Sequence, residues 1–138
     1  MMFADLKPRL GEPEVQRVLS LSMGDPTPEK IARVVERCRN SADRKLCGMI
    51  DGAEILAVAE YYLRDDGALY IANIAVTEAR RGQGIGRALI AALRDQYGLP
   101  IALETDDDAI GFYLKCGFAA EGFMHEAYGV RRWRCRLR

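Results

Sequence analysis

The sequence lacks the features that would indicate a membrane, secreted or nucleic-acid-binding protein. No apolar run approaches the roughly 20 residues that a membrane helix needs. The N-terminal stretch MMFADLKPRL has no apolar core followed by a small-residue cleavage site, so we expect no secretory signal. The net charge is zero, because 20 Lys and Arg balance 20 Asp and Glu, so the chain as a whole does not attract nucleic acid or anionic lipid. These absences predict a cytoplasmic protein with neither nucleic acid nor membrane as a partner.

Cysteine and histidine are also scarce. The four cysteines, at positions 38, 47, 116 and 135, include no CxxC pair, which argues against a zinc ribbon or a disulfide scaffold and indicates reduced thiols. The one histidine, His125, has no motif around it, so we expect a structural or surface role. We therefore expect no metal. The 138 residues contain no repeat or linker-like run, which predicts one domain over residues 1–138.

Hydrophobic spacing divides the chain into helices first and strands later. A first helix follows Gly11-Glu12-Pro13 and reaches Met23, and a second begins with Thr27 as its N-cap and Pro28 as its first residue. Asp51-Gly52 marks a hairpin turn. Strands are predicted over 45–50, 54–64, 68–76 and 101–104, with two more in 118–138 and an extra one within 2–10. Further helices follow Gly84 and a cap at Asp107 or Asp108, so the order ααβββαβαββ predicts a mixed sheet.

The C-terminal stretch alternates between apolar residues and arginines. Trp133, Cys135 and Leu137 fall on one side of a predicted strand. Arginines 132, 134, 136 and 138 fall on the other. Because a strand places alternate residues on opposite faces, and no exposed aromatics interleave for base stacking, this pattern favours a solvent-facing strand over a nucleic-acid site.

The most informative stretch is the glycine-rich turn RRGQGIGR, residues 80–87, between a strand and a helix. Glycines allow close backbone approach, and a helix N-terminus carries partial positive charge, so this arrangement predicts an anion site. Arg81 and Arg87 add full charges suited to a diphosphate. A Walker loop is excluded, because Gly86 is not followed by Lys and Ser or Thr. A Rossmann turn lacks its third glycine, although Glu104 lies about 20 residues further on, where that motif expects an acid.

Two motifs in this chain resemble those of the GNAT family of N-acetyltransferases. Arg81-x-x-Gly84-x-Gly86 is similar to the family's Q/R-x-x-G-x-G/A signature, and the segment from Ala109 to Phe118 is similar to its second signature, A-x-x-F/L-Y-x-K-x-G-F. The resemblance implies an α+β, three-layer fold, with a mixed, mostly antiparallel sheet and helices on both faces. Two positions differ from the family pattern: Glu78 replaces a proline, and Asp106 replaces an asparagine.

The resemblance also implies a binding mode for acetyl-CoA as co-substrate. Two neighbouring strands would part to admit the pantetheine arm, which would meet the backbone of the strand end. The residues expected to bind the cofactor are Ile74, Ala75, Val76, Arg81, Gly82, Gln83, Gly84, Ile85, Gly86, Arg87, Asp106 and Phe112. The loop among them would hold the diphosphate.

Transfer of an acetyl group to an amine needs a base, donors for the developing oxyanion and an acid for the thiolate. In the second signature, Tyr113 matches the family's tyrosine, and we expect it to be the general acid. Glu104, near the end of its strand, is the first candidate for the base, and Glu60 is the next, acting directly or through water. The cysteines match no nucleophile motif, and the resemblance implies direct transfer without an acyl-enzyme.

The resemblance predicts an acetyl-CoA-dependent N-acetyltransferase that transfers acetyl directly to a primary amine. Two alternatives stay open: a catalytically silent acyl-CoA-binding or sensing module on the same fold, and a nucleotide-binding α/β domain. The acceptor would be a small-molecule or peptide amine, which the sequence does not identify further. A homodimer is one expected assembly.

Overall fold

A computed structural model describes all residues, 1–138, as seven strands, four α-helices and two 3-10 turns. The strands are β1 (Met2–Asp5), β2 (Lys45–Asp51), β3 (Glu54–Leu63), β4 (Leu69–Val76), β5 (Ile101–Thr105), β6 (Ala119–His125) and β7 (Val130–Leu137). The helices are α1 (Pro13–Ser20), α2 (Pro28–Asn40), α3 (Ile85–Tyr97) and α4 (Ile110–Lys115). The 3-10 turns are Lys7–Arg9 and Glu78–Arg80. None of the helices is long and apolar enough to cross a membrane.

Local signals account for the bounds of the first helices. Thr27 caps α2 as predicted, because its hydroxyl oxygen accepts a hydrogen bond from the backbone N–H of Lys30 at 3.2 Å. The prediction that α1 reaches Met23 is wrong, since the helix ends at Ser20. The next three residues make i→i−3 backbone bonds, which tighten the chain out of the α-helix.

The cap of α4 also differs from the prediction. Neither Asp107 nor Asp108 caps this helix; Asp106 accepts a hydrogen bond from the backbone N–H of Ala109 at 2.9 Å, just before the first helical residue. Asp107 turns away because its carboxylate accepts hydrogen bonds from the Arg131 guanidinium (3.0 Å) and the Trp133 indole (2.7 Å). These bonds lower the pKa of Asp107 and attach the segment before α4 to β7.

All seven strands form one sheet, in the order β1-β2-β3-β4-β5-β7-β6. Neighbours run antiparallel except for β4 and β5, which run parallel. One apolar core lies between the sheet and α3, with Leu89 and Leu93 fully buried, and a second lies between the opposite face and α1 and α2, around Val18 and Cys38. The predicted fold class, a mixed and mostly antiparallel sheet with helices on both faces, is confirmed.

Two irregularities open the middle of this sheet. The parallel pairing of β4 with β5 involves only Leu69 with Ile101 and Tyr70 with Ala102, after which the two strands separate. On its other side β4 contains a bulge: the consecutive residues Glu60 and Tyr61 of β3 pair with Asn73 and Ile71, which leaves Ala72 between them without a partner. The second half of β4 therefore borders a gap inside the sheet.

The alternation predicted for the last strand is present. Cys135 of β7 is buried against the α3 side, while Arg134 and Arg136 are exposed on the opposite face. The helices α1 and α2 pack on β3 and β4, so the part of this face formed by β5, β7 and β6 has no helix over it.

Candidate active site

The glycine-rich turn forms an open cradle of backbone N–H groups at the start of α3. Gly82 and Gly84 have φ values of 75° and 79°, a left-handed conformation that side chains rarely adopt. The first hydrogen bond of the helix runs from Ala88 N to Gly84 O, so the N–H groups of residues 84 to 87 have no acceptor in the chain. Four free donors at a helix N-terminus are suited to an anion.

The next glycine of the turn is required for a different reason. A Cβ atom on Gly86 would lie 3.1 Å from Phe112 Cζ and 3.4 Å from Val76 Cγ2, whereas one on Gly84 would meet nothing within 4 Å. Gly86 is therefore needed for close packing of α3 against β4 and α4, while Gly84 is needed for its backbone conformation.

Two arginines of the turn are fixed by backbone carbonyl groups. Arg81 Nε donates to Val76 O at 3.3 Å, and Arg87 donates to Lys115 O at 2.5 Å. Both side chains are exposed, and neither forms an ion pair with a carboxylate. Their charges are therefore available to an anion at the turn.

Glu78, which stands where the family pattern has proline, connects this region to α1. Its carboxylate accepts a hydrogen bond from the Arg17 guanidinium at 2.8 Å, which lowers the pKa of Glu78. Arg17 also donates to the Thr77 hydroxyl at 2.9 Å. An ion pair to α1 therefore holds the chain between β4 and the turn, where the family pattern has the rigid ring of a proline.

A cleft of about 680 Å³, which we call the glycine-loop cleft, lies between the end of β4, the glycine-rich turn and α4. Ten of the twelve predicted cofactor residues line it: Ile74, Ala75, Val76, Arg81, Gly82, Gly84, Ile85, Gly86, Arg87 and Phe112. Gln83 does not line this cleft, and Asp106 lies instead at the adjoining cavity described below.

The backbone of β4 faces the gap at alternate residues. Thr77 N donates to Leu56 O of the neighbouring strand, so in the antiparallel pattern Ala75 and Asn73 also bond to β3. Ile74 and Val76 therefore direct their N–H and C=O groups away from β3, into the gap where β5 has separated from β4. Apart from Val76 O, which accepts the bond from Arg81, these groups are free, as on an edge strand, although β4 lies in the interior of the sheet.

Tyr113 of α4 lies where the cleft reaches this gap. Its ring packs edge-on between Phe112 and Phe118, with centroids 5.0 and 5.5 Å away, and the residue is 7% exposed. Its hydroxyl makes no hydrogen bond in the chain, yet it is not among the fully enclosed polar atoms, so it opens into the cleft. Burial raises the pKa of Tyr113, which keeps the phenol protonated at neutral pH.

A second cavity, of about 360 Å³, adjoins the first on the other side of the gap; we call it the β5 cavity. The two share four lining residues: Leu21, Ile74, Ala109 and Tyr113. The glycine-loop cleft and the β5 cavity thus meet at Tyr113 and at the free backbone of Ile74.

The structure brings Glu104 to this second cavity and keeps Glu60 out of it. Glu104 is exposed on β5, lines the β5 cavity and makes no hydrogen bond. Glu60 is fully buried, pairs with the guanidinium groups of Arg37 (3.1 Å) and Arg44 (3.4 Å), and lines neither cavity. Its carboxylate accepts a hydrogen bond from Asn73 Nδ2 at 2.8 Å, so Glu60 reaches the β5 cavity only through Asn73.

Leu21, Asn73 and Arg132 are among the residues of the β5 cavity that the sequence did not indicate as site residues. The amide of Asn73 interrupts the otherwise apolar run LYIANIAV of β4, which is a signal that could have been read. Leu21 follows α1 and Arg132 belongs to β7, so only the tertiary fold brings them together. His125 lines neither cavity, and its ring stacks on Tyr128 in the turn between β6 and β7.

The arrangement agrees with the comparisons to known proteins. The family model described as Acetyltransferase (GNAT) family matches residues 13–118. A crystal structure assigned to the GNAT family, from Desulfovibrio desulfuricans, superposes with a TM-score of 0.80 at 22% identity, covering 99% of this chain and 97% of that one. No curated protein sequence matches the chain.

Two further solved structures share the fold over nearly the whole chain. An aminoglycoside 6′-N-acetyltransferase complexed with coenzyme A superposes with a TM-score of 0.79 at 16% identity, covering 99% and 96% of the two chains. The ribosomal-protein-S18-alanine N-acetyltransferase of Escherichia coli gives 0.74 at 20% identity, covering 99% and 92%. The chain therefore belongs to the GNAT acetyltransferase family.

Proposed function

We propose that acetyl-CoA occupies the glycine-loop cleft, that the acceptor amine enters through the β5 cavity, and that the acetyl group passes directly between them beside Tyr113. The observation that carries this proposal is the junction of the two cavities, which share Tyr113 and Ile74. Two substrates that approach from opposite sides of a gap meet without a covalent enzyme intermediate.

The chain offers acetyl-CoA three kinds of contact. The N–H groups of residues 84 to 87, with Arg81 and Arg87, suit the diphosphate. The free N–H and C=O groups of Ile74 and the free N–H of Val76 suit the amides of the pantetheine arm, which would add to β4 as a strand does. Gln83 and Asp106, which are outside this cleft, stay predictions without such support.

The chemistry can be assigned to groups at the junction. The amine lone pair attacks the thioester carbonyl, while backbone N–H groups near Ile74 stabilise the developing oxyanion. As the carbon–sulfur bond breaks, the Tyr113 hydroxyl gives its proton to the sulfur, and the tyrosinate then regains a proton from solvent through the open cleft, while Glu104 later returns its proton to solvent. Glu104, on the wall of the β5 cavity, accepts the proton that the amine loses, directly or through water.

The substitution Tyr113→Phe tests the role of the acid, because it keeps the packed ring and removes only the hydroxyl. We expect kcat to fall roughly 10- to 1,000-fold with acetyl-CoA affinity nearly unchanged, measured by thiol release and by calorimetry. Tyr97→Phe is the matched control: it removes a hydroxyl that bonds to Tyr61 at 2.8 Å, away from both cavities, and should leave kcat unchanged. A Tyr113→Phe enzyme with wild-type kcat would contradict the assignment.

The alternative of a silent acyl-CoA-binding module predicts binding without turnover, so thiol release with any amine separates the two. The free hydroxyl of Tyr113 favours the enzyme, because a binding module has no use for an unpaired phenol in its cleft. Several further expectations stay predictions: one domain over residues 1–138, a cytoplasmic location and a homodimer. The four unpaired cysteines, three of them buried, support the reducing compartment that this location implies.

A further inference from the structure

The β5 cavity differs from the glycine-loop cleft in both size and polarity. It is about half as large, and its lining includes Tyr113 and six further polar residues: Ser22, Asn73, Glu104, Thr105, Asp106 and Arg132. A volume of about 360 Å³ accommodates a compact polar molecule or one end of a larger one. We therefore expect these few polar groups to determine which acceptor binds.

Asn73, next to Ile74, provides a hydrogen-bond acceptor of fixed orientation. Its Nδ2 donates to Glu60 Oε1 at 2.8 Å, so the amide cannot turn over without losing a hydrogen bond to a buried carboxylate. Its Oδ1 lies 3.1 Å from the hydroxyl of Ser22, which also bonds to Leu19 O at 2.7 Å and has only one proton to donate. A lone pair of Oδ1 is thus available to an N–H of the acceptor, beside the junction of the cavities.

Arg132 is the only cationic residue that lines the β5 cavity, and it is unpaired. Other charged side chains of β7 have partners: Arg131 pairs with Asp107, Arg134 lies over the Phe123 ring at 3.7 Å, and Arg136 lies 4.0 Å from a carboxylate. Arg132 is half-buried and makes no hydrogen bond, ion pair or aromatic contact. Arg132 lies on β7 just beyond the end of β5, since its neighbour Trp133 pairs with Thr105, the last residue of β5.

A cavity that binds a simple cationic amine does not need an unpaired arginine such as Arg132. Partial burial strips water from a guanidinium, and an anionic partner offsets that loss, whereas a positively charged ligand would be repelled. Within the cavity, Asn73 and the carboxylates of Glu104 and Asp106 therefore suit an amine, and Arg132 suits an anion.

We propose that the acceptor is an amine that also carries a carboxylate, as a free amino acid does, with the carboxylate bound by Arg132. This inference rests on the proposed function, because it takes the β5 cavity as the acceptor site. It separates this protein from relatives whose acceptors are polycationic, such as the aminoglycoside acetyltransferase whose fold it shares. The guanidinium can bind a carboxylate through two parallel hydrogen bonds, which gives orientation as well as affinity.

The test compares amines that differ only in the carboxylate. The 20 amino acids, their amides and the polycation kanamycin are assayed by thiol release at saturating acetyl-CoA. We expect at least one amino acid to exceed its own amide by 10-fold or more in kcat/KM. Arg132→Gln should reduce that ratio to near one by slowing the amino acid alone, and Arg132→Lys should restore part of it.

Two variants show whether the effect is specific to Arg132. Arg134→Gln, which removes an exposed arginine from the same strand and face but outside the β5 cavity, should leave the ratio unchanged. Asn73→Ala should lower kcat/KM for the amino acid and its amide by similar factors, because both contain the amine.

Each outcome decides between the inferences. If amides or kanamycin react as well as every amino acid, or if Arg134→Gln changes the ratio as Arg132→Gln does, the carboxylate proposal is overturned while the acetyltransferase assignment stands. If acetyl-CoA stabilises the protein against heat but no amine of any class releases thiol, both proposals are overturned.

Discussion

The substitution Gly84→Ala should weaken acetyl-CoA binding while leaving the protein folded. At φ 79° an alanine costs about 1–2 kcal/mol, although no atom lies within 4 Å of the added Cβ. Alanine also restricts the unfolded chain more than glycine does, which stabilises the folded state by roughly 0.4–1 kcal/mol. The free energy of unfolding should therefore fall by about 1 kcal/mol in total. With about 2.1 cal/mol/K of unfolding entropy for each of the 138 residues, the Tm should fall by only about 3 °C.

The effect on binding should be larger than the effect on stability. Relief of the strain at residue 84 reorients the N–H groups at the start of α3, and the loss of one charge-assisted hydrogen bond costs about 1.5–3 kcal/mol, or roughly 10- to 150-fold in affinity. At 100 times its Kd, acetyl-CoA stabilises the wild-type protein by about 2.7 kcal/mol, a Tm rise of about 9 °C. A variant 50-fold weaker would gain only about 2 °C at the same concentration.

Gly67→Ala provides the matched control for this measurement. Gly67 has a φ of 86°, no atom lies within 4 Å of its added Cβ, and it lines neither the glycine-loop cleft nor the β5 cavity. Its alanine variant should show the same fall in Tm without ligand and the full rise with acetyl-CoA. If Gly84→Ala also retains the full rise, the glycine-rich turn does not hold the cofactor, and the assignment of the anion site is refuted.

Three further predictions follow from the cleft and the core. Arg81→Gln and Arg87→Gln should each weaken acetyl-CoA by roughly 10- to 150-fold but leave acetyl-pantetheine, which has no phosphate, unaffected in calorimetry, and equal losses for both ligands would contradict the diphosphate role. Iodoacetamide at pH 8 should label the half-exposed Cys116, which lines the cleft, and bound acetyl-CoA should slow that labelling. Cys47 should stay unlabelled until well above pH 8, because burial raises its pKa to about 12. Leu89→Ala, which empties a fully buried position of α3, should cost about 2–5 kcal/mol in denaturant unfolding, and a smaller loss would mean that the core closes over the cavity.

Elements that depend on neighbouring residues were predictable from the sequence. The cap at Thr27 and the hairpin turn at Asp51-Gly52 each involve residues within a few positions. Their geometry is determined by side-chain caps and by the backbone conformations that glycine allows, and both signals lie within a few residues of sequence. The glycine-rich turn belongs to the same class, and for that reason most of the predicted cofactor residues line one cleft.

Features that depend on distant residues were not predictable. Three consecutive aspartates offer the same local cap, but Asp107 binds Arg131 and Trp133, 24 and 26 residues away, and Asp106 bonds to the N–H of Ala109 just before α4. The β5 cavity is likewise assembled from the end of α1, β4, β5 and β7. No short stretch of sequence contains those four segments, so only the fold shows that Asn73 and Arg132 line the same cavity.

The gap between β4 and β5 has a consequence for how the backbone exchanges hydrogen with solvent. Amides in the centre of a sheet are ordinarily the slowest to exchange, but the N–H groups of Ile74 and Val76 face the gap and have no strand partner. The amides of Asn73 and Ala75, bonded to β3, should exchange slowly while their immediate neighbours exchange quickly. A pantetheine arm in the gap would protect Ile74 and Val76 as well, so that the alternation along β4 disappears and the sheet becomes continuous only in the loaded enzyme.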